Sequence, residues 1–231
     1  MGETERQFAH IKALAFDAYG TLFDVFSVTA LCEQLFPGQG AALAQLWRAK
    51  QLQYSLLRTV MGRYRDFWQL TEDGLRYASK NLRLDLSEQK RRQLMDAYLT
   101  LTAFPDVKPG LAALKQAGMR LAILSNGAPD MLGAATAHAG IGALLDATIS
   151  VDVIGVFKPS RRVYQLAHER LNVAAGEVGF VSSNSWDING AGAAELTTFW
   201  MQRQSGEPEE ILGFPATRVV TSLTELASLL R

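Results

Sequence analysis

Residues 12–24 read KALAFDAYGTLFD: an apolar run from Ala13 to Phe16 that stops at the carboxylate of Asp17 and passes into a Gly-containing turn. Four consecutive apolar residues closed by an acid are what a strand buried on both faces leaves in a sequence. Residues 120–126, RLAILSN, repeat the pattern and end in small polar side chains. Working outward, DATIS at 146–150, VGFVSS at 178–183, TTFWM at 197–201 and TRVVTS at 217–222 read the same way. Helix-length segments separate these runs, so the expected fold is α/β, a Rossmann-like open parallel sheet.

The helix signals agree. KPGLAALKQAG carries Pro109 early and Gly118 late, and APDMLGAATAHAG carries Pro129 and Asp130 in its first turn and Gly140 at its end. That placement of Pro and Gly is the usual asymmetry of helix ends. Ser160 is expected to cap RRVYQLAHERL, and Ser222 with Glu225 has capping-box spacing before the last helix. Between the first two strands, residues 25–106 show no strand pattern and at least three helical runs. One has apolar side chains at Leu43, Leu46, Trp47, Tyr54, Leu57 and Met61, another is TEDGLRYASKNL, and a third follows a Ser87 cap. The expected organisation is a core of residues 1–24 and 105–231, with an inserted helical cap at 25–104.

Composition bounds the function. The 231 residues hold 23 Lys+Arg against 23 Asp+Glu and are 48% hydrophobic. A balanced charge gives no field for a polyanion, so neither nucleic acid nor a membrane is an expected partner. No run approaches the roughly 18 apolar residues of a membrane span, and no export signal is visible. The single Cys32 can form no internal disulfide and has no partners for a zinc site, which suits a reduced, cytoplasmic setting. His10, His138 and His168 fall away from the strand ends, the KRR run at 90–92 reads as a solvated helix face, and Gly190 and Gly192 follow no strand in dinucleotide-binding fashion.

In open parallel sheets ligands bind beyond the carboxyl ends of the strands. Asp17 with Thr21, Ser125 with Asn126, Lys158, and the run Ser182, Ser183, Asn184 and Asp187 all belong to that edge. A carboxylate can act as a nucleophile, a nearby lysine can keep it ionised, and N–H groups at the helix after Asn126 can hold an anion. Singly, each residue also has a plain reading, as a turn cap, a solvated lysine or an Asn-Gly turn.

FDAYGTLFD at 16–24, SNG at 125–127, FKPS at 157–160 and SSNSWD at 182–187 resemble, in order and spacing, the four motifs of the haloacid dehalogenase superfamily, in particular its L-2-haloacid dehalogenase branch. The phosphatase majority of that superfamily has a second Asp where this chain has Tyr19, and a further acid where it has Ser183 and Asn184. Loss of those carboxylates weakens magnesium binding and leaving-group protonation, and a halide needs no proton. The resemblance therefore implies dehalogenation of short L-2-haloacids to D-2-hydroxy acids, with no metal and no other cofactor. Open alternatives are a phosphatase, opening of a strained 2-carboxylate ring, and a small-acid binder that does not turn over.

The resemblance also implies roles. Asp17 would attack C2 and form an ester, Lys158 would hold Asp17, and Ser125 with backbone amides would hold the substrate carboxylate. Asp187, Ser182 and Asn184 would organise hydrolysis, and Arg48 with Asn126 would receive the halide. Ala18, Tyr19, Leu52, Phe67 and Trp186 would line the substrate wall, with Thr21 and Tyr164 as further catalytic positions. As plain alternatives, Arg48 is a surface arginine of an amphipathic helix, Leu52 and Phe67 are cap-core residues, and Tyr164 is a packing tyrosine. The family also implies a homodimer.

Overall fold

The computed structural model describes residues 7–230. Six strands, β1 (Ala13–Phe16), β2 (Arg120–Ser125), β3 (Ala147–Ser150), β4 (Val178–Ser182), β5 (Thr197–Met201) and β6 (Arg218–Val220), form one sheet in the order β3-β2-β1-β4-β5-β6. Every neighbouring pair is parallel. All six strands expected from the apolar runs are present. β1 and β4 are buried at every residue, as central parallel strands covered on both faces must be.

The chain lays down β1, β2 and β3 in one direction and then crosses to place β4 on the other side of β1, so the strand order reverses between β1 and β4. Phe16 pairs with Val181 on one side and Ile123 on the other, which sets Asp17 level with Ser182 and one step short of Ser125. Three of the expected polar residues thus share one edge at the reversal point, the position where such sheets bind ligands.

Between β1 and β2 run α1 (Thr29–Leu35), α2 (Gly40–Val60), α3 (Phe67–Asn81) and α4 (Glu88–Ala97). Asp66 caps α3 by accepting from Gln69 N–H, and Ser87 caps α4 by accepting from Lys90 N–H. α2 and α3 lie close because Gly74 faces Trp47, where a Cβ would sit 3.3 Å from the indole. Trp47 Nε1 donates to the Thr71 carbonyl at 2.7 Å and Gln51 Nε2 to Thr71 Oγ1 at 2.9 Å.

The apolar stripe expected on α2 holds only in its first half. Leu43 and Trp47 are buried, but Leu57 and Met61 are exposed. The inward face is instead Leu43, Ala44, Trp47, Arg48, Gln51 and Ser55, so it turns polar where it meets the sheet edge. The chain leaves and re-enters the sheet side by side: Asp24 N–H donates to Thr102 O, Phe104 N–H donates to Leu22 O, and Phe23 bridges Ala103.

The remaining helices are α5 (Val107–Gln116), α6 (Pro129–His138), α7 (Arg161–Leu171), α8 (Ser185–Ala193) and α9 (Leu223–Leu229). Gly118 and Gly140 take positive φ after α5 and α6, as expected of glycine past a helix end. Ser222 caps α9, but Glu225 reaches back to Thr221 rather than to Ser222 itself. Ser160 makes no side-chain cap, contrary to the sequence reading; its carbonyl instead accepts from Val163 N–H. No helix among the described residues is long and apolar enough to cross a membrane.

Candidate active site

Asp17 follows β1 directly, its N–H still bonded to the Val181 carbonyl of β4. The chain then turns sharply: the Ala18 carbonyl accepts from Thr21, Leu22 and Phe23 N–H, and Gly20 adopts φ +96°, a left-handed conformation that favours glycine. This turn directs Thr21 back at the acid. Thr21 Oγ1 donates to Asp17 Oδ2 at 3.1 Å while accepting from Ser183 N–H at 2.8 Å. Asn184 Nδ2 donates to the same Asp17 oxygen at 2.9 Å.

Lys158 arrives from the loop before α7, and its side chain is wholly buried. Its Nζ lies 3.1 Å from Asp17 Oδ1, 2.9 Å from Asp187 Oδ2 and 4.7 Å from the centre of the Phe180 ring. The other Asp187 oxygen accepts from Tyr164 OH at 2.7 Å. One ammonium therefore serves two buried carboxylates. Burial pushes Asp187 up to about 6 against the opposing pull of Lys158, with Asp17 pushing the same way as burial. Tyr164 is also raised, by burial and then by Asp187, so it stays a donor.

Ser125 Oγ accepts from Gly127 N–H and Asn126 Oδ1 accepts from Lys158 N–H, which ties the loop after β2 to the lysine. Ser182 Oγ accepts from Asn184 N–H, positioning the asparagine. Gly127 is more than a turn glycine: a Cβ there would lie 2.6 Å from the Tyr19 ring. Phe67, from the start of α3, stacks on Tyr19 at 5.8 Å and is buried.

Arg48 is a buried residue pointing at this edge, not a surface arginine. Its Nη2 donates to the Tyr19 carbonyl at 3.0 Å. With Leu52, Asn184 and Trp186 it lines a cleft of about 670 Å³. Arg48 and Asn126 make their hydrogen bonds to different partners. Ala18, though buried, contributes to the site through its turn-closing carbonyl.

Three residues for which the sequence offered no role belong to this arrangement. Ser183, quoted in the fourth run but given no role, donates to the Gly20 carbonyl at 2.7 Å. Gln51, one turn after Arg48 on the same helix face, receives Tyr98 OH and holds Thr71. Arg203 donates to the Thr21 carbonyl and to Asp106 and lies 4.2 Å over the Phe104 ring. It follows β5, so the strand-end rule that selected Asp17 and Ser182 points to it as well.

The groups around Asp17 are an ammonium, a hydroxyl and a carboxamide N–H, all hydrogen-bond donors, and the nearby Tyr19 carbonyl is taken by a guanidinium. This set does not fit a divalent cation, which needs oxygen ligands. It does fit a carboxylate fixed in direction by three donors, which is the arrangement of a carboxylate nucleophile.

Residues 11–195 match the family model of haloacid dehalogenase-like hydrolases. An (S)-2-haloacid dehalogenase of Pseudomonas sp. (strain YL) is 46% identical over 220 residues, covering 95% of this chain and 94% of that one. The solved L-2-haloacid dehalogenase of Xanthobacter autotrophicus superposes with a TM-score of 0.91 at 42% identity, over 96% of this chain and 98% of that one. The same enzyme with chloropropionic acid covalently bound gives 0.89 at 41% identity, with the same coverage. The chain belongs to the haloacid dehalogenase-like hydrolases and groups with their L-2-haloacid dehalogenases.

Proposed function

We propose that this protein hydrolyses short L-2-haloacids to D-2-hydroxy acids. An Asp17 oxygen attacks C2 opposite the halogen, the halide leaves with the bonding pair, and an aspartyl ester forms with inversion. Water then attacks the ester carbonyl of Asp17, so the product hydroxyl carries an oxygen from Asp17 and the carboxylate is restored from water. The observation that carries this reading is the setting of Asp17, ordered by Lys158, Thr21 and Asn184 with no second acid at Tyr19 or at Ser183 and Asn184.

Two negative charges ~4 Å apart repel by about 4 kcal/mol at an effective dielectric of ~20, so nucleophile and substrate need nearby cations. Lys158 answers the charge of Asp17, and Arg48 lies at the substrate side of the cleft. In this reading Ser125 and neighbouring backbone amides receive the substrate carboxylate, Arg48 and Asn126 receive the halide, Ala18, Tyr19, Leu52, Phe67 and Trp186 form the wall, and Asp187 with Ser182, Asn184 and Tyr164 orders the hydrolytic step. Exclusion of water by that wall leaves the carboxylate less solvated and more nucleophilic.

Residues 25–104 are proposed to act as a cap that carries Arg48, Leu52 and Phe67 onto a core made by the rest of the chain. The paired exit and return strands at Phe23 and Ala103 support this division. Exposed Leu56, Leu57, Val60 and Met61 at the end of α2 support association of two copies. The single buried Cys32 supports a reducing cytoplasmic setting.

The deciding experiment is halide release from the separate enantiomers of 2-chloropropionate in EDTA, with the configuration of the product determined. Release from the L form alone, giving D-lactate, is expected. No halide from either form, together with magnesium-dependent hydrolysis of p-nitrophenyl phosphate, would overturn the reading in favour of a phosphatase.

A further inference from the structure

Buried polar side chains are almost always hydrogen-bonded, and an unpaired hydroxyl in an apolar setting is costly. Among the described residues two such atoms lack a partner, Ser79 Oγ on α3 and the hydroxyl of Tyr19. The second belongs to a site residue, whose carbonyl meets Arg48 and Asn184. Its ring is held on three sides, by Phe67 at 5.8 Å, Phe23 at 6.4 Å and Tyr98 at 6.5 Å. The hydroxyl end rests against Gly127, where a Cβ would lie 3.1 Å from the oxygen.

At its other end, the Tyr19 carbonyl receives the Arg48 guanidinium. The residue thus spans the gap between Arg48 and the Asn126-Gly127 turn, with Asp17 two positions before it in the chain. Burial, then Tyr98, raises the phenol far above its ordinary value, while Arg48 draws it down and Asp17 pushes it up. The oxygen keeps its proton and offers a donor that nothing in the chain accepts.

We propose that the Tyr19 hydroxyl donates a hydrogen bond to the departing halide, as a third group beside Arg48 and Asn126. This rests on the dehalogenation reading above. As the bond from Asp17 to C2 forms and the carbon–halogen bond breaks, the halide takes the bonding pair, and Tyr19 keeps its proton throughout. A charge-assisted hydrogen bond to an anion is stronger than a neutral one, and the smaller halide concentrates more charge. The hydroxyl therefore favours chloride over bromide and iodide as leaving group.

The test is Tyr19→Phe, which removes one oxygen that has no partner to lose and so keeps the fold. Single-turnover halide release from L-2-chloro-, L-2-bromo- and L-2-iodopropionate is measured for both proteins, with inhibition by added chloride and iodide as a binding readout. In the variant, release of chloride falls about tenfold, release of iodide falls about twofold or less, and inhibition by chloride weakens. Melting temperature stays the same or rises.

An equal loss for all three halogens would place the hydroxyl on the substrate carboxylate and overturn the proposal. Unchanged rates and inhibition with a higher melting temperature would make Tyr19 a packing residue and also overturn it. If the wild-type protein releases no halide at all, the dehalogenation reading fails first, and that outcome is distinct from both.

Discussion

Asp17 sits among donors only, so replacing it with Asn changes little of the shape but removes the nucleophile and the charge that Lys158 answers. Asp17→Asn is expected to lower kcat by on the order of 10⁴ or more while the circular dichroism spectrum is kept. Retained turnover would remove the nucleophile assignment. Arg48→Ala is expected to cost roughly 10²- to 10³-fold in kcat/KM, the scale of a lost oriented electrostatic group. A full-rate variant would mean that the guanidinium serves only to hold the Tyr19 carbonyl.

Asp187 gives a pH dependence at the same scale. Its pKa is raised to about 6 by burial, so it is ionised above that value, and kcat/KM should rise with an apparent pKa near 6 on the acid side. The stability term runs the other way. The folded value lies above the ordinary carboxylate range, so this group's contribution to stability is present below the unfolded pKa and is lost as pH rises through about 6. Activity profiles and melting curves between pH 4 and 8 should therefore show opposite slopes from this one residue. An acid limb more than a unit away from that value would assign the limb to another group.

At the scale of elements, glycines decide how closely helices approach the site. Gly190 on α8 faces α7, and a Cβ there would lie 2.5 Å from both the Tyr164 hydroxyl and Pro159 Cβ. Gly190→Ala should lower stability by about 1–3 kcal/mol and also reduce kcat, because relief of the clash moves Tyr164 away from Asp187. Loss of stability with kcat intact would mean that Tyr164 only packs. In the sequence, Gly190 could be excluded from a dinucleotide loop but not given a purpose, since its neighbour lies 26 positions earlier in the chain. Arg48 shows the same limit: an arginine on an amphipathic helix reads as solvated until the partner surface is known, and here that surface is the turn after Asp17.

At the scale of the molecule, the helices between β1 and β2 have one face on the site and another in solvent. Their outer end carries Leu56, Leu57, Val60 and Met61, and association through it is expected to give a particle of two chains. Val60→Glu combined with Met61→Glu should reduce the mass seen by light scattering to one chain, with little change in kcat. A wild-type protein that already runs as one chain would remove the dimer.

The strands, their number, the inserted helical stretch and the polar residues at the strand ends were all determined by the sequence alone. Buried parallel strands leave apolar runs, and local turn and cap chemistry marks their ends, so short-range information is enough. What the sequence could not determine depends on side chains distant along the chain. The strand order that levels Asp17 with Ser182, the sharing of Lys158 by Asp17 and Asp187, the inward turn of Arg48, the clamp of Arg203 on Thr21 and the unpaired Tyr19 hydroxyl appear only when the sheet closes. Each joins or isolates groups tens of residues or more apart, and only tertiary packing sets whether such groups meet and how much water remains between them.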